Sequence, residues 1–489
     1  MSLVLAIDEG TSGVRAMVFD ERSVQRGTAF EELAAAYPHQ GWMEQDPLSI
    51  WTATQRVIDE ALRTAQAAPA DIAAIGVAVQ RATTIVWERA TGAPLYPAIS
   101  WPDARTAGRV AELRARGVFV HGLASATKLE WILRECDAMA RAAAGELCFG
   151  TVDSWLLWQL SGGRVHATDH SNASCTGLYD FLGGTWDGTM LDAIGLPPAV
   201  LPRVVASSGV CGETDPAVFG AAVPLAGIAG DQQAAMFGEL CTEVGAVKIT
   251  FGTSAMIDIN TGDVPVLSQR GAHPIVLWGI GGARPYGLEG TVVTAGAAVQ
   301  WLRDGLGIIA HPSECGPLAA SVPDSGGVWV VPAFHGIGTP YMDVGGRAVI
   351  GGLSRASTRA HIVRAVFEGI AFRTAEVFET LLADAGTGPP ARLRIDGGLA
   401  VDDVFAQCLA DRLGLPVERP ESVQATALGA AYLAGLGVGV WRGLDDLRHA
   451  WRSGRVFEPR LGADERAARL AAWQRAVELA RLGAGPRPL

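Results

Sequence analysis

"AIDEGTSGVRAMVFD" (residues 6–20) and "AVKITFGTSAMIDIN" (residues 246–260) share one pattern: an apolar run, the letters Gly-Thr-Ser, and a second apolar run. Apolar runs rich in β-forming residues on either side of a short turn predict a β-hairpin. Each tip would present backbone N–H groups and hydroxyls without bulk, which suits an anion. An ordinary β-turn is the alternative, but the repetition favours two tips that contact one polyphosphate from two halves of the chain.

The length and composition indicate a large globular protein. A chain of 489 residues is too long for one ordinary core, so two domains are expected. The sequence divides best into residues 1–240 and 241–489. With 39 basic against 51 acidic residues the net charge is −12, which disfavours binding to nucleic acid. Only two lysines are present, Lys128 and Lys248.

The compartment is predicted from cysteine usage and apolar runs. Seven scattered cysteines with no C-x-x-C pair indicate reduced thiols in a cytoplasm rather than disulfides or a zinc site. The N-terminus has no basic region, so we expect no signal peptide. No run of about eighteen apolar residues suggests a membrane-spanning helix.

Three further segments have readable local structure. Asp46 and Pro47 open a helix of apolar residues at helical spacing. "TTIVWE" (83–88) and "LYPAISW" (95–101) predict another hairpin, and "VQATALGAAYLAGLGVG" (423–439) predicts a helix whose small residues allow close packing. Beyond the second Gly-Thr-Ser hairpin, strands and helices alternate, so the fold class is α/β with mixed sheets.

Two aspartates are candidates for chemistry. A carboxylate beside a phosphate-binding tip needs a cation between them, so Asp8 predicts magnesium; a turn-stabilising aspartate is the alternative. In "GIAGDQQAAMFG" (227–238), Asp231 either caps a helix or serves as a general base in a polar cleft.

Familiar nucleotide and hydrolase motifs are missing from the sequence. There is no G-x-x-x-x-G-K-[ST], no strand–G-x-G-x-x-G–helix unit, no H-E-x-x-H and no G-x-S-x-G. If the protein acts on phosphates, its architecture therefore differs from those that carry these motifs.

Ordered blocks along nearly the whole chain resemble the FGGY family of carbohydrate kinases, and within it the glycerol kinases. The blocks that carry the resemblance include "AIDEGTSGVRA", "GVAVQRATTIVWE", "AISWPDART", "FGTVDSWLLWQL", "GIAGDQQAAMFG", "TAGAAVQWLRD", "RIDGGLAVDD" and "ATALGAAYLAGL". The resemblance implies two ribonuclease-H-like lobes of the actin and hexokinase type with a cleft between them. It further implies an ATP-dependent, magnesium-requiring transfer of the γ-phosphate to a hydroxyl of a small polyol or sugar.

The resemblance also implies residue roles. Asp8 matches the carboxylate near the magnesium, and Asp231 matches the general base. The residues that match nucleotide contacts are Thr11, Ser12, Gly13, Arg15, Thr253, Gly296, Gln300, Gly398 and Asp402, the last at a position where glycerol kinases usually have Asn. The residues that match the acceptor site are Arg81, Trp101 and Gln232.

Three acceptor-site positions depart from the glycerol kinases. Ala82 stands where they have a carboxylate that holds glycerol hydroxyls, Leu123 where a tyrosine is expected, and Met256 where a phenylalanine is expected. The sequence therefore predicts a glycerol-kinase-like enzyme with an altered acceptor pocket and weak use of glycerol. The alternatives are a true glycerol kinase, an actin- or chaperone-like nucleotide-binding protein, and a degenerate kinase. A cytoplasmic homodimer or homotetramer is expected from the family.

Overall fold

The structure is a computed structural model that describes residues 2–343, 345–422 and 424–482 as a mixed α/β chain. The strands are β1 (Leu3–Gly10), β2 (Gly13–Asp20), β3 (Gln25–Glu32), β4 (Glu44–Gln45), β5 (Ile72–Val79), β6 (Ile85–Glu88), β7 (Ala98–Ile99), β8 (Leu147–Gly150), β9 (Ala167–Asp169), β10 (Tyr179–Asp180), β11 (Thr185–Trp186), β12 (Arg203–Val205), β13 (Ser208–Glu213), β14 (Pro224–Gly230), β15 (Val247–Phe251), β16 (Ala255–Gly262), β17 (His273–Val276), β18 (Tyr286–Val292), β19 (Trp329–Val331), β20 (Val349–Gly351), β21 (Leu393–Asp396), β22 (Val417–Pro420) and β23 (Ser453–Phe457). The helices are α1 (Pro47–Ala65), α2 (Ala107–Ala115), α3 (Ser125–Glu135), α4 (Met139–Ala143), α5 (Val152–Leu160), α6 (His170–Ser174), α7 (Gly188–Ile194), α8 (Pro216–Phe219), α9 (Asp231–Gly238), α10 (Gly296–Asp304), α11 (Cys315–Ala320), α12 (Arg359–Ala385), α13 (Asp403–Leu413), α14 (Ala425–Gly437), α15 (Leu444–Ala450) and α16 (Ala463–Leu482).

The chain forms two compact units. Unit 1 comprises Met1–Leu240, Ile275–Pro285 and Ala425–Trp451, and unit 2 comprises Cys241–Pro274, Tyr286–Gln424 and Arg452–Leu489. The first change of unit falls between Leu240 and Cys241, where the sequence was divided. Two later segments return to unit 1, so a single division at that point does not describe the units.

The main sheets of the two units share one topology. In unit 1 the order is β13-β14-β5-β1-β2-β3, with antiparallel pairing in β1–β2–β3 and parallel pairing of β1 with β5 and of β5 with β14. In unit 2 the run β18-β16-β15-β21-β22 repeats this arrangement. An antiparallel three-strand meander extended by parallel strands is the ribonuclease-H-like pattern, so the α/β fold class is confirmed.

Helix α1 begins where the sequence predicts. The Asp46 carboxylate accepts hydrogen bonds from the backbone N–H groups of Leu48 and Ser49, and Pro47 occupies the first turn. The helix buries an apolar stripe against β2 and β3, including Ile50 and Val57.

Helix α14 is the small-residue helix, and it packs against the sheet of unit 1. A Cβ atom on Gly76 of β5 would lie 2.1 Å from the carbonyl oxygen of Ala430, and one on Gly227 of β14 would lie 2.5 Å from the Ala434 nitrogen. Glycines at these two strand positions therefore allow the helix backbone to approach. Close packing was expected of this helix, but not its place in the first unit.

The predicted hairpin over residues 83–101 forms only in part. Leu95 N–H donates to Val86 O (2.8 Å) and Ile99 N–H donates to Thr84 O (3.0 Å), so the segment does fold back on itself. Its two strands take other partners, however: β6 pairs with β8, and β7 pairs with β4. The segment thus joins two short ladders, and this arrangement places Arg81, Ala82 and Trp101 at its ends.

Candidate active site

The first Gly-Thr-Ser tip is a tight β-hairpin turn in unit 1. Thr11 and Ser12 form the turn between β1 and β2, whose register pairs Gly10 with Gly13. Ser12 is exposed, and Gly13 is a glycine for a steric reason, because a Cβ there would lie 2.5 Å from the Phe30 ring. The tip therefore offers a hydroxyl and backbone without side-chain bulk, as the sequence predicts.

Asp8 and Arg15 face each other across this hairpin. They are direct partners in the antiparallel register, and both are half-buried. The Arg15 guanidinium also lies 5.1 Å from the centroid of the Phe30 ring. A carboxylate and a guanidinium are thus held on rigid strands just behind the tip.

A polar network links the tip to the candidate acceptor residues. The Trp101 indole N–H donates to Thr11 Oγ1 (2.9 Å), and that hydroxyl donates to Gln80 Oε1 (3.2 Å). The Gln45 amide donates to the Thr11 carbonyl (3.0 Å) and accepts from Gln80 Nε2 (2.9 Å). Trp101 is 36% exposed, so its ring remains available to a ligand while its indole nitrogen is fixed.

Sequence reasoning missed the two glutamines. Gln80 lies in the block "GVAVQRATTIVWE" but was assigned no role there, and Gln45 lies in none of the quoted blocks. Nothing in the spacing brings residues 45 and 80 together. Their burial in one network follows from β4 and β5 meeting near the first hairpin.

Asp231 forms an ion pair with Arg81. Arg81 Nε lies 3.1 Å from Asp231 Oδ1, and that oxygen also accepts from the Gln232 N–H (2.7 Å). Helix α9 begins at Asp231, and its N-cap residue is Gly230, so the helix-cap interpretation of Asp231 does not describe this geometry. The Asp231 carboxylate is 28% exposed, which leaves an oxygen-rich face open to a ligand.

Gly230 makes room for the ion pair. A Cβ at this position would lie 2.7 Å from Cδ and Cγ of Arg81 and 2.7 Å from Gln233 Oε1. The Arg81 side chain therefore passes directly over the glycine that precedes the candidate base. Gln232, the other polyol-contact candidate, is half-buried on the first turn of α9.

Ala82 and Leu123 both accept hydrogen bonds from side chains of α3. Ala82 is 6% exposed with a positive φ of 61°, and its carbonyl accepts from Ser125 Oγ (3.1 Å). Leu123 is 39% exposed and immediately precedes this helix. The two predicted acceptor-site positions therefore carry apolar side chains, and both are anchored to α3 through their carbonyl oxygens.

Lys128 is the second feature that the sequence did not identify. Its fully buried ammonium donates to three carbonyl oxygens: Ser100 (3.1 Å), Trp101 (2.7 Å) and Leu123 (3.0 Å). Burial lowers the pKa of Lys128 to about 7; Asp103 opposes this effect and Arg105 adds to it. The ammonium joins the two loops that carry Trp101 and Leu123. The scarcity of lysine was the only signal in the sequence.

We expect Lys128→Met to raise the acceptor KM about tenfold while leaving the ATP KM within twofold of wild type, because three buried carbonyls lose a charged donor. In the wild type the acceptor KM should rise above about pH 7, where a neutral amine has two N–H groups for three carbonyls; the variant should lack this dependence. Arg134→Met, an exposed change on the same helix, is the control. If Lys128→Met leaves the acceptor KM unchanged, Lys128 only stabilises the core and does not position the acceptor site.

Glu9 is a fully buried carboxyl group next to Asp8. Its Oε1 accepts from Gln80 Nε2 (3.0 Å), whereas its Oε2 has no partner among the described residues. Burial raises the pKa of Glu9 well above its usual 4.5, and the charges of Asp8 and Asp231 raise it further. Burial therefore shifts Glu9 toward its neutral form in the folded protein.

This burial predicts a pH-dependent stability. Between pH 4.5 and the raised pKa, the unfolded chain releases the Glu9 proton and the folded chain keeps it, so stability falls by up to about 1.4 kcal/mol per pH unit. Glu9→Gln should remove this loss and raise the unfolding temperature at pH 8 but not at pH 4. Glu32→Gln, at an exposed position, is the control. Equal stabilisation at both pH values would contradict the assignment.

The second Gly-Thr-Ser tip lies in unit 2 between β15 and β16. Residues 252–254 form the turn, and Thr253 is exposed. The backbone of this turn holds the start of α10: Gly296 N–H donates to Gly252 O (2.9 Å) and Ala297 N–H donates to Thr253 O (3.0 Å). A Cβ on Gly296 would lie 2.5 Å from Gly252 O, which explains this glycine.

The remaining nucleotide candidates gather around the same hairpin. Gly397 has φ of 87° and packs against Phe251 at the end of β15, which leaves Gly398 exposed with open space where a side chain would be. Gln300 is exposed on α10, one turn beyond Gly296. Such open backbone is suited to the close approach of a nucleotide.

Asp402 serves as a helix cap. It accepts hydrogen bonds from Val404 N–H (2.9 Å) and Phe405 N–H (3.1 Å) at the start of α13, a task that Asn can also perform. Its carboxylate packs against the α-carbon of Gly316, and burial raises its pKa. Met256 is half-buried on β16, with its sulfur 3.5 Å from Thr291 Oγ1.

The candidate site residues therefore fall into two groups. Asp8, the first tip, Arg81, Ala82, Trp101, Leu123, Asp231 and Gln232 belong to unit 1. Thr253, Met256, Gly296, Gln300, Gly398 and Asp402 belong to unit 2. No three His, Cys, Asp or Glu side chains in the described part of the chain form a group that could hold a metal ion.

Comparisons with known proteins bear on both units. Models of the N-terminal and C-terminal domains of the FGGY family of carbohydrate kinases match residues 3–238 and 247–438. The sequence is 49% identical to the glycerol kinase of Aromatoleum aromaticum, over 98% of this chain and 99% of that protein.

Solved structures give the same picture. The glycerol kinase of Plasmodium falciparum with ADP matches with a TM-score of 0.90 and 31% identity over 98% of both chains. The xylulose kinase of Rhodospirillum rubrum matches with a TM-score of 0.84 and 25% identity, over 99% of this chain and 100% of that chain.

Proposed function

Because this chain belongs to the FGGY family of carbohydrate kinases, we propose that its preferred acceptor is a small polyol or sugar other than glycerol. The chain is a glycerol-kinase-like, ATP-dependent phosphotransferase that acts on an alcohol group, with ATP and Mg²⁺ as cofactors. The observation that carries the acceptor proposal is Ala82: a nearly buried methyl group stands beside Arg81, where the resemblance implies a carboxylate.

One end of the acceptor would be held by polar groups. We assign its reacting hydroxyl to Asp231, which takes the proton as the hydroxyl oxygen attacks the γ-phosphorus and ADP leaves. The Arg81 contact at 3.1 Å supports this role, because the guanidinium orients the carboxylate. Trp101 and Gln232 would contact the same end.

The other end of the acceptor would meet an apolar side. Ala82 and Leu123 present carbon to it, and we place Met256 there as well. A hydroxyl of glycerol buried against these groups would lack a partner, at a cost of about 1–3 kcal/mol. Glu9 does not replace the missing carboxylate, because it is fully buried. A longer chain or a deoxy end fits this side better.

The nucleotide would be bound by both tips. We assign the phosphates to Thr11, Ser12, Gly13, Arg15 and Thr253, and the rest of the nucleotide to Gly296, Gln300, Gly398 and Asp402. The exposed hydroxyls of Ser12 and Thr253 and the open backbone at Gly398 support these roles.

The residues of the first tip fit a magnesium ion. Mg²⁺ prefers oxygen ligands and is usually held by one or two carboxylates together with substrate phosphates. Asp8 supplies such an oxygen on β1, close in sequence to the tip, so Asp8 and the phosphates would hold the ion. The ion would neutralise charge on the transferred phosphoryl group.

We also infer a cytoplasmic enzyme that forms a homodimer or homotetramer. None of the seven cysteines, all of which lie in the described part of the chain, is in a disulfide, and this supports a reducing compartment. Among the described residues no helix is long and apolar enough to cross a membrane.

A true glycerol kinase is the second candidate, favoured by relatives that bear that name along their whole length. Activity measured with a series of acceptors distinguishes a true glycerol kinase from a kinase for another polyol or sugar. ADP release should be measured with purified protein and glycerol, four- and five-carbon polyols, ketopentoses and deoxy sugars. We expect a longer or deoxy acceptor to exceed glycerol in kcat/KM. A tenfold advantage for glycerol would establish the second candidate.

A further inference from the structure

A cavity of about 510 Å³ lies in unit 2, between α12 and α13 and bordered by β23 and α16. This volume is in the usual range for small-molecule sites. None of the residues that we assign to the nucleotide lines it. The mechanism therefore leaves this cavity unused.

The cavity is basic although the chain is acidic. Five arginines line it against three carboxylates, whereas the whole chain has a net charge of −12. The lining arginines are Arg364, Arg412, Arg455, Arg460 and Arg469.

The three carboxylates are already engaged. Glu368 pairs with Arg364 (2.9 Å), and Asp403 pairs with Arg455. Asp411 accepts from Gln407 Nε2 (2.9 Å) and from the backbone N–H of Arg460 (2.7 Å). These three carboxylates therefore do not pair with every guanidinium group that lines the cavity.

Arg412 is the least satisfied of these donors. The residue is only 9% exposed, and although its Nη2 donates to Arg466 O (3.0 Å), its Nε and Nη1 have no hydrogen-bond partner within the described residues. Its guanidinium lies 4.3 Å from the centroid of the Phe372 ring, another lining residue. Burial lowers the pKa of Arg412, and the charge of Glu379, to which Arg412 makes no hydrogen bond, opposes this effect.

Arg460 provides a second available guanidinium at the same cavity. Its side chain has no hydrogen bond or ion pair with any residue that the structure describes, and it is exposed. Neither guanidinium group is hydrogen-bonded to a carboxylate among the described residues, and one of them is buried. Such donors suit an oxyanion ligand.

We propose that this cavity is a second ligand site, which binds a small polyanion through Arg412 and Arg460. The ligand carries at least two oxyanion groups, phosphoryl or carboxylate, and is no larger than the 510 Å³ space. This site is independent of the acceptor and of the assignments at the phosphate tips.

The test is calorimetric titration of the full chain with pyrophosphate and, separately, with citrate, both in saturating ADP so that the nucleotide site is filled. The tighter of the two ligands identifies the oxyanion class. We expect one of them to bind at or below millimolar concentration, and Arg460→Gln to weaken that binding at least tenfold without changing the unfolding temperature.

Arg412→Gln should weaken binding at least as much as Arg460→Gln does. If Arg412→Gln unfolds the chain because Arg412 is buried, the binding measured with Arg460→Gln tests the proposal. Arg442→Gln, at an arginine whose side chain is 93% exposed outside the cavity, is the matched control. The proposal is overturned if neither anion binds below about 10 mM, or if Arg460→Gln binds like the wild type.

Discussion

Asp231→Asn is expected to lower kcat by about 10²-fold or more. The substitution keeps the size of the side chain and an oxygen for the Gln232 N–H, but it removes the basic group that takes the proton from the attacking hydroxyl. A positioned general base typically contributes 10²- to 10⁴-fold, so the lower end of that range is a safe expectation. Steady-state rates of ADP release with a saturating acceptor measure the effect.

Two controls separate catalysis from folding in this experiment. Asp192→Asn, at an exposed position of unit 1, should leave kcat unchanged. Nucleotide affinity of the Asp231→Asn protein, measured by titration, should stay within about threefold of wild type, because Asp231 is not assigned to the nucleotide. A variant that retains more than a tenth of the wild-type kcat would show that Asp231 is not the base.

Ala82→Glu is expected to raise kcat/KM for glycerol about tenfold or more and to lower it for the best longer acceptor. The new carboxylate would lie beside Arg81 and offer oxygens to hydroxyls that otherwise meet a methyl group. Satisfying one buried hydroxyl is worth about 1–3 kcal/mol, which corresponds to roughly 5- to 150-fold in kcat/KM. The positive φ of 61° at this residue is already accommodated by alanine, so the backbone is not expected to change.

Ala82→Gln is the matched control, since it adds the same bulk without the charge. Ala82→Gln should lower kcat/KM for the longer acceptor as Ala82→Glu does, because both side chains fill the same space. It should raise kcat/KM for glycerol less than Ala82→Glu does. If Ala82→Glu leaves the ratio of kcat/KM for glycerol to kcat/KM for the longer acceptor unchanged, Ala82 does not contact the acceptor. The proposal of an apolar side at the acceptor site then fails.

The sequence was sufficient wherever local chemistry decides the structure. Apolar runs around Gly-Thr-Ser predicted both hairpins, and an Asp-Pro start predicted α1, because turn and cap preferences act over a few residues. The residues that match the family motifs were identified as candidates in the same way, since motif residues are contiguous in sequence; their roles remain predictions. Asp231 was among them, and its competing role as a helix cap was excluded only by coordinates that place Gly230 at the cap.

The sequence by itself thus determined the fold class, the two hairpin tips, the family and the identity of the altered position Ala82. Only the tertiary structure decided what surrounds them: the return of α14 to the first unit, the Gln45–Gln80–Thr11 network and the three carbonyls held by Lys128. These contacts join residues that lie from five to several hundred positions apart. Their geometry depends on how whole sheets and helices pack, and no local preference encodes that packing.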